Sequence, residues 1–347
     1  MTAPTIHRLR IAEVIEETAD ASSVVFDLEP HQKERFSYRP GQFLTLHIPH
    51  DGASLARCYS LASAPDIDNA LKITVKRVDR GRGSNWLCDH ARTGAEIEVL
   101  EPSGVFTPKS LDRAFLLIAG GSGITPVMSI LKSVLGRGTG HIVLFYANRD
   151  EDSVIFRAEL LELLARHPDR LSIVHWIESQ DGLPTSDRLR EQFSPLHFDE
   201  AFVCGPGPFM DCTRDALRSL NFPREKLHIE RFNSLRSNPF ESVLVTAAAD
   251  PGTVTRASTV VVEKDGQTQT FSWPADQRLL DVLTTNGMKA PSSCSEGVCA
   301  ACECRLTEGR VEMMNNQVLE DEDLAAGYIL ACQALPLTDT VRIAYDS

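Results

Sequence analysis

The sequence predicts three folded parts in one chain: a small antiparallel β-barrel, a parallel α/β domain, and a compact C-terminal domain organised around cysteines. Three observations predict it. Short β-branched or alternating runs fill the region 6–106. Apolar strand runs then alternate with helical stretches from 114 to 220. Finally, five of the nine cysteines lie between Cys294 and Cys332.

In the first part, Ser23–Glu29, Phe43–Ile48, Leu71–Arg77 and Ile97–Leu100 read as strands. Pro40-Gly41 and Pro102-Ser-Gly104 mark turns between them. The pattern then changes. Ala114–Ala119 is a buried strand run, followed by a glycine-rich turn and a helical stretch to Leu135. Strand His141–Ala147, helix Val154–His167, strands Leu171–Ile177 and Ala201–Cys204, and helix Pro208–Leu220 complete an alternation that marks a parallel sheet covered on both faces. Residues 234–256 are small and polar and read as a linker, with some strand character at Val243–Val245. Ser258–Trp273 reads as a hairpin turning at Asp265-Gly266, and Asp276–Asn286 as a helix. The expected divisions are therefore 1–108, 109–233, a linker 234–257, and 258–347.

Composition narrows the class. Apolar residues make up 42% of the 347 and charged residues 24%, an ordinary globular balance. No stretch has the roughly 18 apolar residues of a membrane span, and Met1–Ile11 lacks an apolar signal core. A cytoplasmic protein with no membrane partner is expected. The net charge of −13 argues against nucleic acid as a partner. From Ser258 onward 14 acidic side chains face 6 basic ones, either as plain solvated surface or as a docking face for a basic protein.

The cysteines carry the most specific signal. Cys294, Cys299, Cys302 and Cys332 are spaced C-x4-C-x2-C-x29-C, the plant-type [2Fe–2S] pattern of three ligands on one loop and a distant fourth. Gly297 gives that loop backbone freedom, and small neighbours let backbone N–H groups approach sulfur. The competing zinc reading needs paired knuckles, and only one C-x2-C pair is present. Cys304, two residues past Cys302, is expected to point away by strand alternation and to be a core thiol.

Two glycine-rich turns sit at strand ends. Gly120-Gly-Ser-Gly-Ile-Thr-Pro126 opens one helix and Cys204-Gly-Pro-Gly-Pro-Phe-Met210 another. Such turns bring backbone and helix N-terminus to a pyrophosphate, or serve only as tight connections. Arg57-Cys-Tyr-Ser60 offers a phosphate ligand, a flat ring and a hydroxyl, but a surface arginine and a core tyrosine explain it equally. Gly81-Arg-Gly-Ser-Asn-Trp-Leu87 is a second phosphate-binding turn or a plain loop.

The order of these motifs, closed by His228-Ile-Glu-Arg-Phe232, resembles the ferredoxin–NADP reductase superfamily over residues 6–232. The cysteine block resembles a plant-type ferredoxin domain of the β-grasp fold. The whole resembles most the reductase components of 3-ketosteroid 9α-hydroxylases and, more distantly, of phenylacetyl-CoA epoxidases. The resemblance implies FAD, a [2Fe–2S] cluster and NADH rather than NADPH as cofactors, and a Rieske-type terminal oxygenase as partner. It implies that Arg57 with Gly83, Ser84 and Asn85 holds the FAD pyrophosphate, that Cys58 belongs to the cofactor-binding set, that Tyr59 and Ser60 contact the flavin ring, and that Thr74, Val75 and Lys76 lie along the flavin and its ribityl chain. The resemblance also implies that Gly121, Ser122, Gly123 and Thr125 receive the nicotinamide dinucleotide. Cys204, Gly205 and Pro206 lie near the nicotinamide, Glu230 and Phe232 close the flavin site, and Ser60 and Cys204 are the catalytic candidates. At Asn148-Arg-Asp-Glu-Asp152 three carboxylates disfavour a 2′-phosphate while Arg149 favours one. The alternative functions are a reductase for another oxygenase such as a phenylacetyl-CoA epoxidase, a free-flavin or quinone reductase, and a non-enzymatic redox sensor.

Overall fold

The computed structural model describes residues 5–50, 52–232, 235, 238–240, 257–288, 290–292, 295–298, 300–319 and 321–345. Val243–Val245, most of the expected linker, and Cys294 and Cys299 lie outside the described residues. The chain divides into two compact units, one covering Ile6–Phe232 and the other the C-terminal part from Asn233.

The first unit begins with strands β1 (His7–Thr18), β2 (Ala21–Asp27), β3 (Phe43–His50), β4 (Ala53–Ser60) and β5 (Leu71–Lys76), helix α1 (Arg82–His90) and strand β6 (Glu96–Val99). The sheet order is β4-β3-β6-β1-β2-β5, and a bridge between Leu61 and Ile73 joins its two edges. Alternate side chains, among them Leu9, Ile11, Phe26, Leu44, Leu46 and Ile73, fill the interior. Each such fully buried aliphatic or aromatic side chain contributes about 1.5–3 kcal/mol. The expected loop after Gly81 is instead helix α1, which places Leu87 in that core. Its glycines hide the helix from a propensity argument, and tertiary packing overrides them. Arg57–Ser60 is the end of β4, paired with β3 so that Leu44 faces Tyr59 and Leu46 faces Arg57.

Next come β7 (Phe115–Gly120), α2 (Ile124–Arg137), β8 (Ile142–Asn148), α3 (Arg157–Arg166), β9 (Leu171–Ile177), α4 (Glu178–Asp181), α5 (Ser186–Phe193), β10 (Glu200–Cys204), α6 (Gly207–Ser219) and β11 (Leu227–Glu230). The five strands are parallel in the order β11-β10-β7-β8-β9. In β7, Phe115, Leu117 and Ala119 join a core with α2 and α3, while Leu116 and Ile118 join a core with α5 and α6. A strand buried on both faces needs its unbroken apolar run. Helix α3 starts later than Val154 because Phe156 takes a left-handed conformation at φ 61°, after a short turn capped by Asp150 and Ser153.

The C-terminal unit contains β12 (Ala257–Lys264), β13 (Gln267–Pro274), α7 (Leu279–Thr285), β14 (Glu303–Glu308), β15 (Val311–Met313), α8 (Asp321–Ala325), β16 (Tyr328–Leu330), β17 (Ala334–Pro336) and β18 (Thr340–Ala344). Its main sheet runs β13-β12-β18-β14-β16, with β12 and β18 parallel and the other pairs antiparallel, and β15 pairs with β17. The hairpin turns at Asp265 and Gly266, both with positive φ, as a two-residue hairpin of the primed type requires. Helix α7 begins at Leu279, later than expected, because Trp273 Nε1 donates to Gln277 O and fixes the preceding turn. Leu279 and Leu283 then pack with Val260, Val262, Trp273 and Val341, the arrangement of a β-grasp domain.

Candidate functional site

Three segments far apart in sequence meet at the end of β4. Gly83, in the first turn of α1, packs so closely that a Cβ there would lie 2.9 Å from Arg57 Cγ and 3.3 Å from Tyr59 Oη. The cap residue Gly81 makes no side-chain hydrogen bond to the first-turn N–H groups of α1. An uncapped helix N-terminus beside a guanidinium is a cradle for a phosphate, and these residues fit the pyrophosphate of a flavin dinucleotide. Ser84 and Asn85 point inward to the loop instead: Val78 N donates to Ser84 Oγ, and Asn85 Nδ2 donates to Val78 O. Asn85 N also donates to Gly81 O, so it is the N–H groups before it that face an anion at this helix start. Cys58 stands apart, because its thiol lies 3.5 Å from Thr45 Oγ1 across the β3–β4 pair, on the face opposite Arg57 and Tyr59. Burial pushes the Tyr59 hydroxyl well above its usual range, so the ring stays neutral.

On β5, Val75 faces the barrel core, Thr74 Oγ1 lies 2.7 Å from Ser23 Oγ, and Lys76 Nζ lies 3.6 Å from Asp20 Oδ2. The Leu61–Ile73 bridge brings this strand beside the end of β4.

The carboxyl ends of the parallel strands supply the second half. Cys204 on β10 sits level with Ala119 on β7 and Glu230 on β11. Ser60 Oγ donates to Glu230 Oε2 at 3.5 Å, so Ser60, Cys204 and Glu230 converge from the barrel and two strand ends. Burial pushes the Glu230 carboxyl up to about 8, and a bond from Ser60 pulls weakly the other way. Burial, reinforced by Glu230, likewise keeps the Cys204 thiol protonated. Phe232, two residues beyond Glu230, keeps an exposed ring.

Gly123 makes the close approach possible. A Cβ there would stand 2.0 Å from Cys204 O, so any side chain would push α2 off the end of β10. Gly205 and Pro206 in turn press on Gly120. Thr125 Oγ1 donates to Ser122 O and closes the first turn, and Tyr146 Oη donates to Gly121 O. Tyr146 is a supporting residue that sequence reasoning did not single out. Another is Glu159 on α3, which takes Lys72 from the barrel and Lys132 from α2 at 2.9 and 2.8 Å. These ion pairs tie the barrel to the helices that frame the turn.

In the C-terminal unit, Cys302 and Cys332 are buried, and Cys332 N approaches Cys302 Sγ at 3.4 Å. Gln333 Nε2 donates to Cys332 Sγ at 3.5 Å and to Ser295 O at 2.9 Å. Bonds of this kind favour thiolate and tune a cluster. The loop carries three left-handed residues, Ser295, Gly297 and Ala300, and Asn315 Nδ2 donates to Glu296 O to hold it. A Cβ at Gly297 would meet Asn315 O at 2.6 Å, on top of its φ of +76°. The soft, buried thiols fit an iron–sulfur cluster. Among the described residues no three His, Cys, Asp or Glu side chains gather as a metal site. Cys304 is buried on β14, opposite Ile329. Strand alternation is not what separates it, since residues two apart share a face. Rather, the strand begins only at Glu303, and Cys302 belongs to the turn before it.

Among the described residues no helix is long and apolar enough to cross a membrane. Residues 8–107 match the oxidoreductase FAD-binding domain, 117–215 the oxidoreductase NAD-binding domain, and 262–337 the 2Fe-2S iron-sulfur cluster binding domain. The chain is thus an oxidoreductase with flavin, nicotinamide dinucleotide and iron–sulfur domains. It is 53% identical over 338 residues to a 3-ketosteroid-9-alpha-monooxygenase ferredoxin reductase component from Rhodococcus rhodochrous, covering 97% of this chain and 96% of that one. It is 35% identical to a component of the 1,2-phenylacetyl-CoA epoxidase of Escherichia coli, covering 99% and 98%. Among solved structures, a phthalate dioxygenase reductase superposes with a TM-score of 0.56 at 25% identity, covering 98% of each chain. With near full-length identity above one half, the chain belongs to the family of the 3-ketosteroid-9-alpha-monooxygenase ferredoxin reductase components.

Proposed function

We propose that this chain draws electrons from NADH and passes them through FAD and a [2Fe–2S] cluster to a Rieske-type terminal oxygenase acting on 3-ketosteroids at the 9α position. The observation that carries the reductase chemistry is the meeting of Ser60, Cys204 and Glu230 beside the Gly121–Thr125 turn. When bound, FAD would supply a hydride acceptor and the cluster a carrier of single electrons. Arg57 and the first-turn N–H groups of α1 hold the flavin pyrophosphate, with Tyr59 and the β5 backbone along the ring. Gly121, Ser122 and Gly123 present the helix N-terminus to the nicotinamide dinucleotide. Cys204 seals the strand ends against water, and Ser60 with the protonated Glu230 carboxyl holds a proton there at neutral pH. Cys294, Cys299, Cys302 and Cys332 ligate the cluster, and residues 1–108, 109–233 and 258–347 act as three domains.

The steroid-ring partner rests on the relative at 53% identity. An acidic docking surface agrees with it: the exposed Asp321 and Glu322 open α8 a few residues before the distant cysteine, while Asp323 is buried. A reducing, cytoplasmic setting keeps thiols available as ligands for the cluster. The test is reconstitution with a purified 3-ketosteroid oxygenase component, a 3-ketosteroid and NADH. Hydroxylated product at rates that fall with added salt is expected. The likeness to the epoxidase component supplies the competing outcome: rapid turnover with a diiron epoxidase and none with the steroid oxygenase sinks the proposal.

A further inference from the structure

We propose that Asp20, a barrel residue, sets the preference for NADH over NADPH by occupying Arg149. This rests on the reading of Gly121–Thr125 as the dinucleotide turn. Asp20 lies in the turn between β1 and β2 and is fixed on several sides. Thr18 Oγ1 donates to Asp20 Oδ1 at 2.9 Å, Asp20 N donates back to Thr18 Oγ1 at 3.3 Å, and Arg77 N donates to Asp20 O at 2.7 Å. Its other carboxylate oxygen, Oδ2, accepts from Arg149 at 3.0 Å and lies 3.6 Å from Lys76 Nζ.

The place of Arg149 gives this contact its meaning. Strand β8 lies beside β7, with Ala147 level with Gly120 at the head of the glycine turn. Arg149 is the first residue after β8, and Ser179 N donates to its carbonyl, which fixes its backbone. In doubly wound sheets a side chain past the strand next to the glycine turn reads the adenosine ribose. A carboxylate there suits a 2′-hydroxyl, and a nearby arginine accommodates a 2′-phosphate. Lys76 borders the same turn, since a Cβ on Gly121 would come within 4.0 Å of its Nζ. One carboxylate from the barrel thus answers both cations that a coenzyme phosphate would seek.

The consequence is a filter by charge. NADH brings a hydroxyl and needs neither cation released. NADPH brings a phosphate that must displace the Asp20 carboxylate from Arg149 and then remain beside it. Arg149 is 65% exposed, so a phosphate reaches it once the carboxylate is gone. The neighbouring Glu151 is directed to Arg157 instead, at 3.4 Å, which leaves Asp20 as the acidic partner of Arg149. A purely structural ion pair at this exposure is weak and carries no coenzyme preference. The two roles are therefore separable by experiment.

The experiment is steady-state ferricyanide reduction by the full-length holoprotein with NADH and with NADPH, flavin content being checked by absorbance. Asp20→Asn, nearly isosteric, should raise the NADPH-to-NADH ratio of kcat/KM about tenfold, the order expected when one unit charge is removed beside a phosphate. Asp20→Ala repeats the measurement should the asparagine still hold Arg149. Adding Arg149→Ala to either variant should abolish the gain. A ratio unmoved in both single variants overturns the proposal, as does a gain that survives in the double variants. If the parent oxidises NADH and only the ratio fails to move, the clamp alone falls. A parent that oxidises neither nucleotide overturns the dinucleotide reading along with it.

Discussion

In the N-terminal unit the site is assembled where regular elements stop. Ser60 ends β4, Cys204 ends β10, Glu230 ends β11, and Gly83 and Gly123 lie at helix starts. Each position is held by a strand or helix that is stable for other reasons, so the site follows from packing. In the C-terminal unit the described residues of the candidate ligand loop, 295–298 and 300–302, belong to no helix or strand. Ser295, Gly297 and Ala300 sit at positive φ, and side chains of Gln333, Asn315 and Arg278 bond its carbonyls. Left-handed non-glycine residues cost of order 1–3 kcal/mol each and persist only where their surroundings impose them. Metal ligation is one such constraint, because binding free energy then contributes to folding. The difference teaches that the first site should survive loss of its cofactor contacts better than the second.

The sharpest break of that comparison is removal of one thiolate. Cys302→Ser or Cys332→Ser should abolish the visible absorbance of the cluster completely. Flavin content and NADH-dependent ferricyanide reduction should remain, since the two units have separate cores. Loss of flavin in these variants would show that the units do not fold independently.

A smaller effect sharpens the other side. An unfolded glutamate releases its proton near 4.5, whereas burial holds the folded Glu230 carboxyl protonated to about 8. Between those values the folded state binds more protons, so stability falls as pH rises and levels off above pH 8. Glu230→Gln lacks this titration. In urea unfolding of the holoprotein, the parent should therefore lose stability relative to the variant between pH 5 and pH 8. A difference independent of pH would mean that Glu230 is ionised in the folded state.

Much of this molecule is legible in local sequence. Apolar runs mark β7 and β9 nearly to the residue, and C-x4-C-x2-C points to the 2Fe-2S domain that residues 262–337 match. What escapes is relational. Gly81 and Gly83 look like a loop until Leu87 is seen buried beneath them. Asp20 meets Arg149 across more than a hundred residues, and no periodicity or spacing encodes such a pair. The raised proton affinity of Glu230 comes from a burial that only the fold supplies, with the Ser60 bond from the barrel opposing it. Alternation places Cys304 in the core for a reason that β14 does not support, since that strand starts after Cys302.

The smallest expected effect concerns that same thiol, and it tests the ligand set from outside. Cys304 lies on the second residue of β14, pairs in register with Ile329, and is 2% exposed among Val260, Leu330, Ile343 and Tyr345. A thiol so placed packs as a small apolar group. Cys304→Ser exchanges sulfur for a smaller, more strongly hydrated oxygen and should cost roughly 1–3 kcal/mol in unfolding measurements. The cluster absorbance per flavin should not change. Cys304→Ala removes the hydroxyl burden and should keep the cluster even if the serine variant unfolds. Loss of the cluster in the alanine variant, with the flavin intact, would make Cys304 a ligand and remove one of Cys294, Cys299, Cys302 or Cys332 from the set.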